Sequence, residues 1–390
     1  MSEPTRRCAR LVAFLLLAVP SLTTAGLADP MVTVLDLPFR ARALRGPGSE
    51  VAVAVATSGL LPLARPRSAN PVQAAAPADA DAPIAVVWGD GGGAALSLVE
   101  GQVVTTLLGA EAVEGLAAAE TPRGALPGSR RTVSGPLSVH LAGPVPALSG
   151  GPEQAAQLVI RERQPVAMGG EPKPVPIVAT TLNAAPEAAF ALRRPRIARF
   201  ADRPVIAAVT VAPSGGSALA LFGKAEPKGT SETKPEPAWT LLARGASQGT
   251  TPGGQPLKPA AIADFSGSGQ PQIAAVAAPD GAGLLQLWTL EAGTLRLAGE
   301  APGYTNVSPG EGEADLAALV EPAKAGPAEL ALPIADRSAL AVLSLKDGIR
   351  ERLRVPLPGP AAFGLASLGR GPSTRLLVGL ADGRIAVVTP

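Results

Sequence analysis

The sequence is poor in the residues that most enzymes use. It has one cysteine, one histidine and one tyrosine among 390 residues, and aromatics make up only 3 %. A lone histidine, His140, cannot build a multi-histidine zinc or iron centre, and Cys8 is too far from it in sequence and setting to help. No G-x-S-x-G elbow accompanies His140, and Val139-His140-Leu141 reads as strand. Gly89-Asp90-Gly91-Gly92-Gly93 is glycine-rich but lacks the Gly-Lys-Ser/Thr and following helix of a phosphate loop, so it reads as a hairpin turn. Sugar-cleaving sites usually present aromatic platforms. Trp88, Trp239 and Trp288 instead sit inside apolar runs and are expected in the core.

Long uninterrupted helical stretches are also missing. The chain carries 42 Pro and 44 Gly. Interior prolines remove helical hydrogen bonds and clash with the preceding turn, so many short strands joined by Pro/Gly turns are expected. A hydrophobic share of 46 % supplies the surface to bury.

The formal charge of +2 belongs to the N-terminus. Arg6, Arg7 and Arg10 precede the apolar run Leu11–Val19, then Pro20 and the small-residue stretch up to Ala28. That is the order of a secretory signal peptide, and the run is too short to span a bilayer. Residues 1–28 are read as this signal, cleaved near Ala28, and the protein as periplasmic or secreted. The Arg6-Arg7 pair is also compatible with twin-arginine export. Without residues 1–28 the chain has 31 basic and 31 acidic residues, no cysteine and no apolar run long enough for a membrane span. A neutral chain offers no global field for nucleic acid.

Four copies of a short pattern organise the second half: Ile197-Ala198-Arg199-Phe200, Ile262-Ala263-Asp264-Phe265, Leu316-Ala317-Ala318-Leu319 and Leu365-Ala366-Ser367-Leu368. Each is followed by a polar turn, an aliphatic strand, a tight turn and a further strand; three copies show a fourth. Without the polar stretch 223–238, the spacing is close to fifty residues, the period of a four-stranded propeller blade. Earlier, Ile84–Val87, Ala94–Leu98 and Val103–Leu108 match the later strands of a blade. Leu137–Leu141, Gln157–Arg161 and Val175–Thr180 match those of the next, and Val51–Val55 is read as the start of another. Residues 68–82 are read as a loop. The expected fold is an all-β propeller of four-stranded blades over residues 29–390, divergent over 29–195 and clearer over 196–390. Seven blades are preferred, within a range of six to eight. The chain ends after the third strand of its last blade, and Met31–Leu37 is expected to supply the missing outer strand and close the ring.

The stretch Ala263-Asp264-Phe265-Ser266-Gly267-Ser268-Gly269-Gln270-Pro271-Gln272-Ile273 resembles the FG-GAP and VCBS repeats of extracellular and periplasmic propellers, the class that includes the integrin alpha-chain head. The resemblance implies a calcium loop with ligands at Asp264, Ser266 and Ser268. Calcium needs six to eight oxygens, several of them carboxylate. Ser266, Ser268 and Gln272 stand where the family has Asp, so the loop is read as vestigial and no cofactor is expected.

Arg193, Arg194, Arg196, Arg199 and Arg203 form one basic cluster, read as a solvated blade entrance, with an anionic partner as the alternative. Asn306-Val307-Ser308 matches a glycosylation sequon. The expected function is a monomeric, non-enzymatic scaffold for an envelope or extracellular protein or a ligand. The alternative is a carbohydrate hydrolase or lyase using Asp and Glu at the channel mouth, and a third reading is an envelope assembly factor with a dedicated partner.

Overall fold

The computed structural model describes residues 31–61, 83–148, 153–165, 175–184, 187–200, 203–225, 237–249, 256–279, 281–309 and 315–390. Residues 1–28, read from sequence as a signal peptide, residues 68–82, read as a loop, and most of the polar stretch 223–238 lie outside them.

The fold is mostly antiparallel strand, in five sheets. β1 (Met31–Val34) joins β23 (Ala361–Leu368), β24 (Arg375–Leu380) and β25 (Ile385–Thr389) in the order β1-β25-β24-β23. β2 (Arg40–Arg45), β3 (Ala85–Asp90), β4 (Gly92–Val99) and β5 (Gln102–Leu108) make the second sheet. The nine-stranded third sheet contains two four-stranded ladders. One is β6 (Thr132–Ser134), β7 (Leu137–Val145), β8 (Gln154–Arg163) and β9 (Ile177–Asn183); the other is β11 (Arg196–Phe200), β12 (Arg203–Val211), β13 (Ser217–Ala225) and β14 (Ala238–Arg244). The two-residue β10 (Ala189–Phe190) pairs with both β8 and β12 and so joins them. β15 (Lys258–Ala263) to β18 (Thr294–Pro302) enclose β16 (Gln272–Ala277) and β17 (Leu284–Glu291). The last sheet runs β19 (Ala318–Val320), β20 (Glu329–Pro333), β21 (Ala339–Ser344) and β22 (Arg350–Pro356).

In most ladders the middle strands are buried on both faces and read as apolar runs, such as Ile273–Val276 and Ala339–Leu343, whereas β8 carries Gln and Arg and is only partly buried. Outer strands such as β18 and β22 alternate toward solvent. Neighbouring ladders pack face to face through separate apolar clusters. Leu219, Leu221, Ile273 and Trp288 fill one, and Phe265, Leu285, Leu332 and Leu343 the next. The first strands β6, β11, β15, β19, β23 and β2 lie side by side in that order.

The Met31–Leu37 expectation holds at the level of pairing. Met31 to Val34 register against Thr389 to Ala386, and Val32 packs against the cluster around Val378 and Val388. The reading of Val51–Val55 as a strand is corrected. Residues 50–57 form helix α1 (Glu50–Thr57), started by Ser49, whose hydroxyl accepts the Ala52 N–H at 3.2 Å. A second helix, α2 (Ala110–Ala117), packs beside it. Val51, Val55 and Val113 then cover Val86, Trp88 and Ala95 on the outer face of the β2–β5 sheet. An alternating Val-Ala run satisfies helix and strand periodicity alike, and here the cap and the available sheet face decide it.

Candidate functional site: a charged axial cavity

A cavity of about 840 Å³ lies where the first strands meet, with walls from each ladder: Gly46, Ser134, Ile197, Ala261, Leu319 and Ala366. Most of the wall is small and apolar, because first strands packed around an axis leave room for little else. The exceptions are charged: Arg194, Arg196, Asp315, Glu321 and Arg370. Asp315, just before β19, accepts from Arg196 Nη1 at 2.8 Å and from Arg196 Nη2, and Arg194 Nη1 lies 3.4 Å away. Arg196 also donates to the Pro259 carbonyl at 3.3 Å, and Arg194 Nε to the Thr132 hydroxyl at 3.1 Å. Burial alone would favour protonated Asp315. The charge and hydrogen bonds of Arg196, then Arg194 and Arg130, outweigh it and hold the carboxyl well below the usual range. Burial, followed by repulsion from Arg130, pulls the Arg194 guanidinium down to about 10.

A second carboxylate stands behind this pair. Glu120 accepts from Arg45 Nε at 3.0–3.1 Å, and Arg130 lies 3.8 Å away. Arg45 is stacked 5.0 Å over the Trp88 ring. Burial and Arg130 lower the Arg45 guanidinium, and Glu120 partly restores it. Glu50 on α1 pairs with Arg131 just before β6. At the cavity rim Glu321 pairs with Arg370 at 2.7 Å, both largely exposed.

This corrects the solvated reading of the basic cluster for three of its five members; Arg199 and Arg203 are exposed. Arg193, Arg194 and Arg196 turn inward, with Arg193 donating to the Pro256 carbonyl at 3.2 Å. Sequence reasoning missed Asp315, Glu120 and Arg45. For Asp315 a signal was present: Arg196, Ala261, Asp315 and Gly364 each occupy the position immediately before a four-residue repeat motif. Equivalent positions in successive ladders point the same way, so an arginine and an aspartate there can meet across the axis.

Asp264, Ser266 and Ser268 come together in the turn between β15 and β16. Asp264 Oδ1 accepts from Gly267 N at 2.8 Å, Ser268 N at 3.0 Å and the Ser266 hydroxyl at 3.2 Å, while Oδ2 accepts from Gly269 N at 2.6 Å. Gly267 and Gly269 have φ of +79° and +76°, which turns those N–H groups inward at no steric cost. Burial opposes ionisation of Asp264, but the Gly269, Gly267 and Ser268 N–H groups keep its carboxyl below the ordinary value. Donors surround the one carboxylate, so the residues present do not fit a calcium ion. Among the described residues no group of three His, Cys, Asp or Glu could hold a metal.

His140 is buried on β7, its Nδ1 without a hydrogen-bond partner, and burial followed by the charges of Arg161 and Arg131 favours its neutral form. All three tryptophans are buried, and Asn306 is fully buried with Nδ2 donating to the Lys258 carbonyl at 3.1 Å, so the folded chain presents no sequon there.

No family model matches the chain, and no curated protein matches it. Solved structures do. A triple arginine-to-alanine mutant of AofleA from Arthrobotrys oligospora is 11 % identical over 93 % of this chain and 90 % of that one, with a TM-score of 0.41. BBS1N in complex with ARL6DN is 11 % identical over 78 % of this chain and 90 % of that one, TM-score 0.31. A GH93 alpha-L-arabinofuranosidase of Fusarium graminearum with arabinobiose is 11 % identical over 60 % and 89 %, TM-score 0.27. Similarities at these scores identify neither a relative nor a ligand. Among the described residues no helix is long and apolar enough to cross a membrane.

Proposed function

We propose that the chain is an exported, non-enzymatic β-propeller that serves as a binding scaffold. The ladders are read as six blades around one axis, one fewer than the seven preferred from sequence. The segment expected to open the extra blade is helix α1. The degenerate FG-GAP/VCBS-like unit at Asp264 then acts as a turn rather than an ion site.

The observation that carries the reading is the state of Asp315. A hydrolase or lyase of the expected kind needs a carboxyl that can give or take a proton near neutral pH. Asp315 is held ionised and its oxygens accept from two guanidinium groups, so it is a poor acid and a poor base. The other carboxylate lining the cavity, Glu321, is committed to Arg370. The surrounding Ala, Leu and Ile walls suit a bound group better than a reacting one.

The test combines export and turnover. Expression of the full chain with a C-terminal tag is expected to yield an extracytoplasmic form beginning near Asp29, with no new reducing ends or unsaturated products from a panel of polysaccharides. Turnover that disappears in Asp315→Asn or Glu321→Gln would overturn the scaffold reading in favour of the enzyme. A tagged protein retained in the cytoplasm at full length would overturn the export reading.

A further inference from the structure

The outer strands of the ladders fall into two groups. β14, β18 and β22 each meet their neighbour through a register shift, between Leu221 and Phe222, Leu287 and Trp288, and Val342 and Leu343. They also carry charge, from Arg244 in β14 to Arg350, Glu351, Arg352 and Arg354 in β22. Bulges and charges are the usual devices that keep an open sheet edge from pairing with another chain. β1, β5 and β9 have neither: each keeps an unbroken register with its neighbour and holds no charged residue.

β9 is the barest of the three. β1 has only four residues, and β5 leads into α2, where Leu108 is partly covered. β9 has seven, Ile177-Val178-Ala179-Thr180-Thr181-Leu182-Asn183, and leaves Ile177 47 % and Val178 51 % exposed. Successive side chains of a strand point to opposite faces, so the edge is apolar and open on both. The Gln164 N–H donates to the Pro176 carbonyl at 2.9 Å, which sets the phase of the ladder. Val178, Thr180 and Leu182 turn their backbone groups to β8, whereas Ile177, Ala179, Thr181 and Asn183 turn theirs outward. Among the described residues no backbone hydrogen bond beyond the β8–β9 ladder engages those four.

We propose that β9 is the contact of a two-fold dimer, in which it pairs antiparallel with β9 of a second copy about Thr180. The phase permits this register. Ala179 faces Thr181 of the second copy and Ile177 faces Asn183, both in hydrogen-bonding positions, and the two Thr180 residues meet in the close, non-bonded position. Val178 falls opposite Leu182, so apolar meets apolar twice. A two-fold contact must complement itself, and the charges beside β9 allow it. Arg163 and Arg161 on β8 pair with Ile177 and Ala179. The two-fold sends them to opposite ends of the contact, in rows that finish on Gln157 and Val159 of the second copy. β22 paired with itself about Leu353 would instead set Arg352 against Arg354. The dimer departs from the monomer expected from sequence, and it does not depend on the scaffold reading.

The experiment is sedimentation of the full chain from about 1 µM to about 300 µM. A contact of one strand lies at the small end of interface sizes, so half-association is expected on the order of tens of micromolar. Ala179→Pro removes an N–H that the ladder to β8 does not use. It should weaken association roughly tenfold or more and leave the Tm of the dilute chain in place. Should it fail to fold, Val178→Lys gives β9 the kind of charge that blunts the other edges, with the same loss expected. The register is read by oxidation of Thr180→Cys in a Cys8→Ser background, where residue 180 carries the sole thiol. Paired Cα atoms in the non-bonded position lie about 4.5 Å apart, within disulfide reach, so a covalent dimer is expected. Val178→Cys, opposite Leu182 rather than its own copy, should give far less. A single-chain mass at about 300 µM overturns the proposal. So does a dimer that the edge variants leave intact, or a Thr180→Cys chain that cross-links no better than Val178→Cys. Binding of an extended acidic peptide to a chain that stays single also overturns it, and assigns the edge to a foreign strand lying beside Arg161 and Arg163.

Discussion

The ladders are joined in two different ways. Where the chain's end meets its beginning, β1 adds to β25 by four registered residue pairs, and the neighbouring contact between β23 and β2 is apolar, with Leu44, Phe363, Ala366 and Ile385 in one cluster. Where α1 and α2 meet the lead-in to β6, no apolar cluster among the described residues spans the two sides. The join there is polar: Glu120 with Arg45 and Arg130, Glu50 with Arg131, and the Arg131 N–H on the Glu120 carbonyl at 2.7 Å. The lesson is a division of labour. The apolar seam gains from burial without regard to pH, whereas the charged seam holds only while its buried ions stay paired.

Removing residues 29–38 should have the largest effect. It strips the outer strand from β25, exposes a flat apolar edge and should cost on the order of 5 kcal/mol in a urea melt through lost ladder bonds and burial. An unchanged midpoint would show that β1 does not close the ring. At the charged seam, Glu120→Gln should cost about 3 kcal/mol, because it takes from the buried Arg45 guanidinium the carboxylate it donates to. Its loss should shrink in high salt, a dependence the strand deletion should lack; equal salt dependence would erase the distinction between the seams.

Acid sharpens the same contrast. The folded carboxyl of Asp315 lies well below the unfolded value of about 3.9, so its contribution is present in full above that value and disappears as pH falls toward the folded one. The charged axis should therefore hold from neutral pH down to about pH 4 and fail below it, and Asp315→Asn should flatten that acid limb in pH-dependent melts. A limb unchanged in the variant would assign acid sensitivity elsewhere. The smallest effect is expected at the β15–β16 turn. Asp264→Ala should cost about 1 kcal/mol, the usual scale for exposed turn hydrogen bonds, and calcium or chelator should leave both melts where they are. A calcium-dependent shift lost in Asp264→Ala would restore the ion site.

Much of the strand content was legible because middle strands covered on both faces must be continuous apolar runs, bounded by Gly, Pro and Asp turns. The runs at Ile84, Ala94, Val205, Ile273 and Leu376 all became strands. First strands were harder: β2 and β6 are short, carry Arg, Thr and Ser, and took their identity from the neighbours they pair with. Val51–Val55 was ambiguous by composition and was settled by the Ser49 cap and the open face of the sheet. In the candidate site, Asp264 was visible as a motif and the Arg193–Arg196 cluster as a charge run, but their roles were not. One carboxylate is occupied by its own turn, and of the arginines Arg194 and Arg196 line the cavity.

The strand runs and the turn positions were readable from the residues alone, because they follow from unbroken apolar runs and from turn chemistry. It took the packed sheets to show that α1 stands where Val51–Val55 was read as strand, and that Asp315 meets Arg194 and Arg196 although 119 positions separate Asp315 from Arg196. Those outcomes depend on which faces are left to cover and on charges brought together from distant repeats, and neither quantity exists until the sheets have packed.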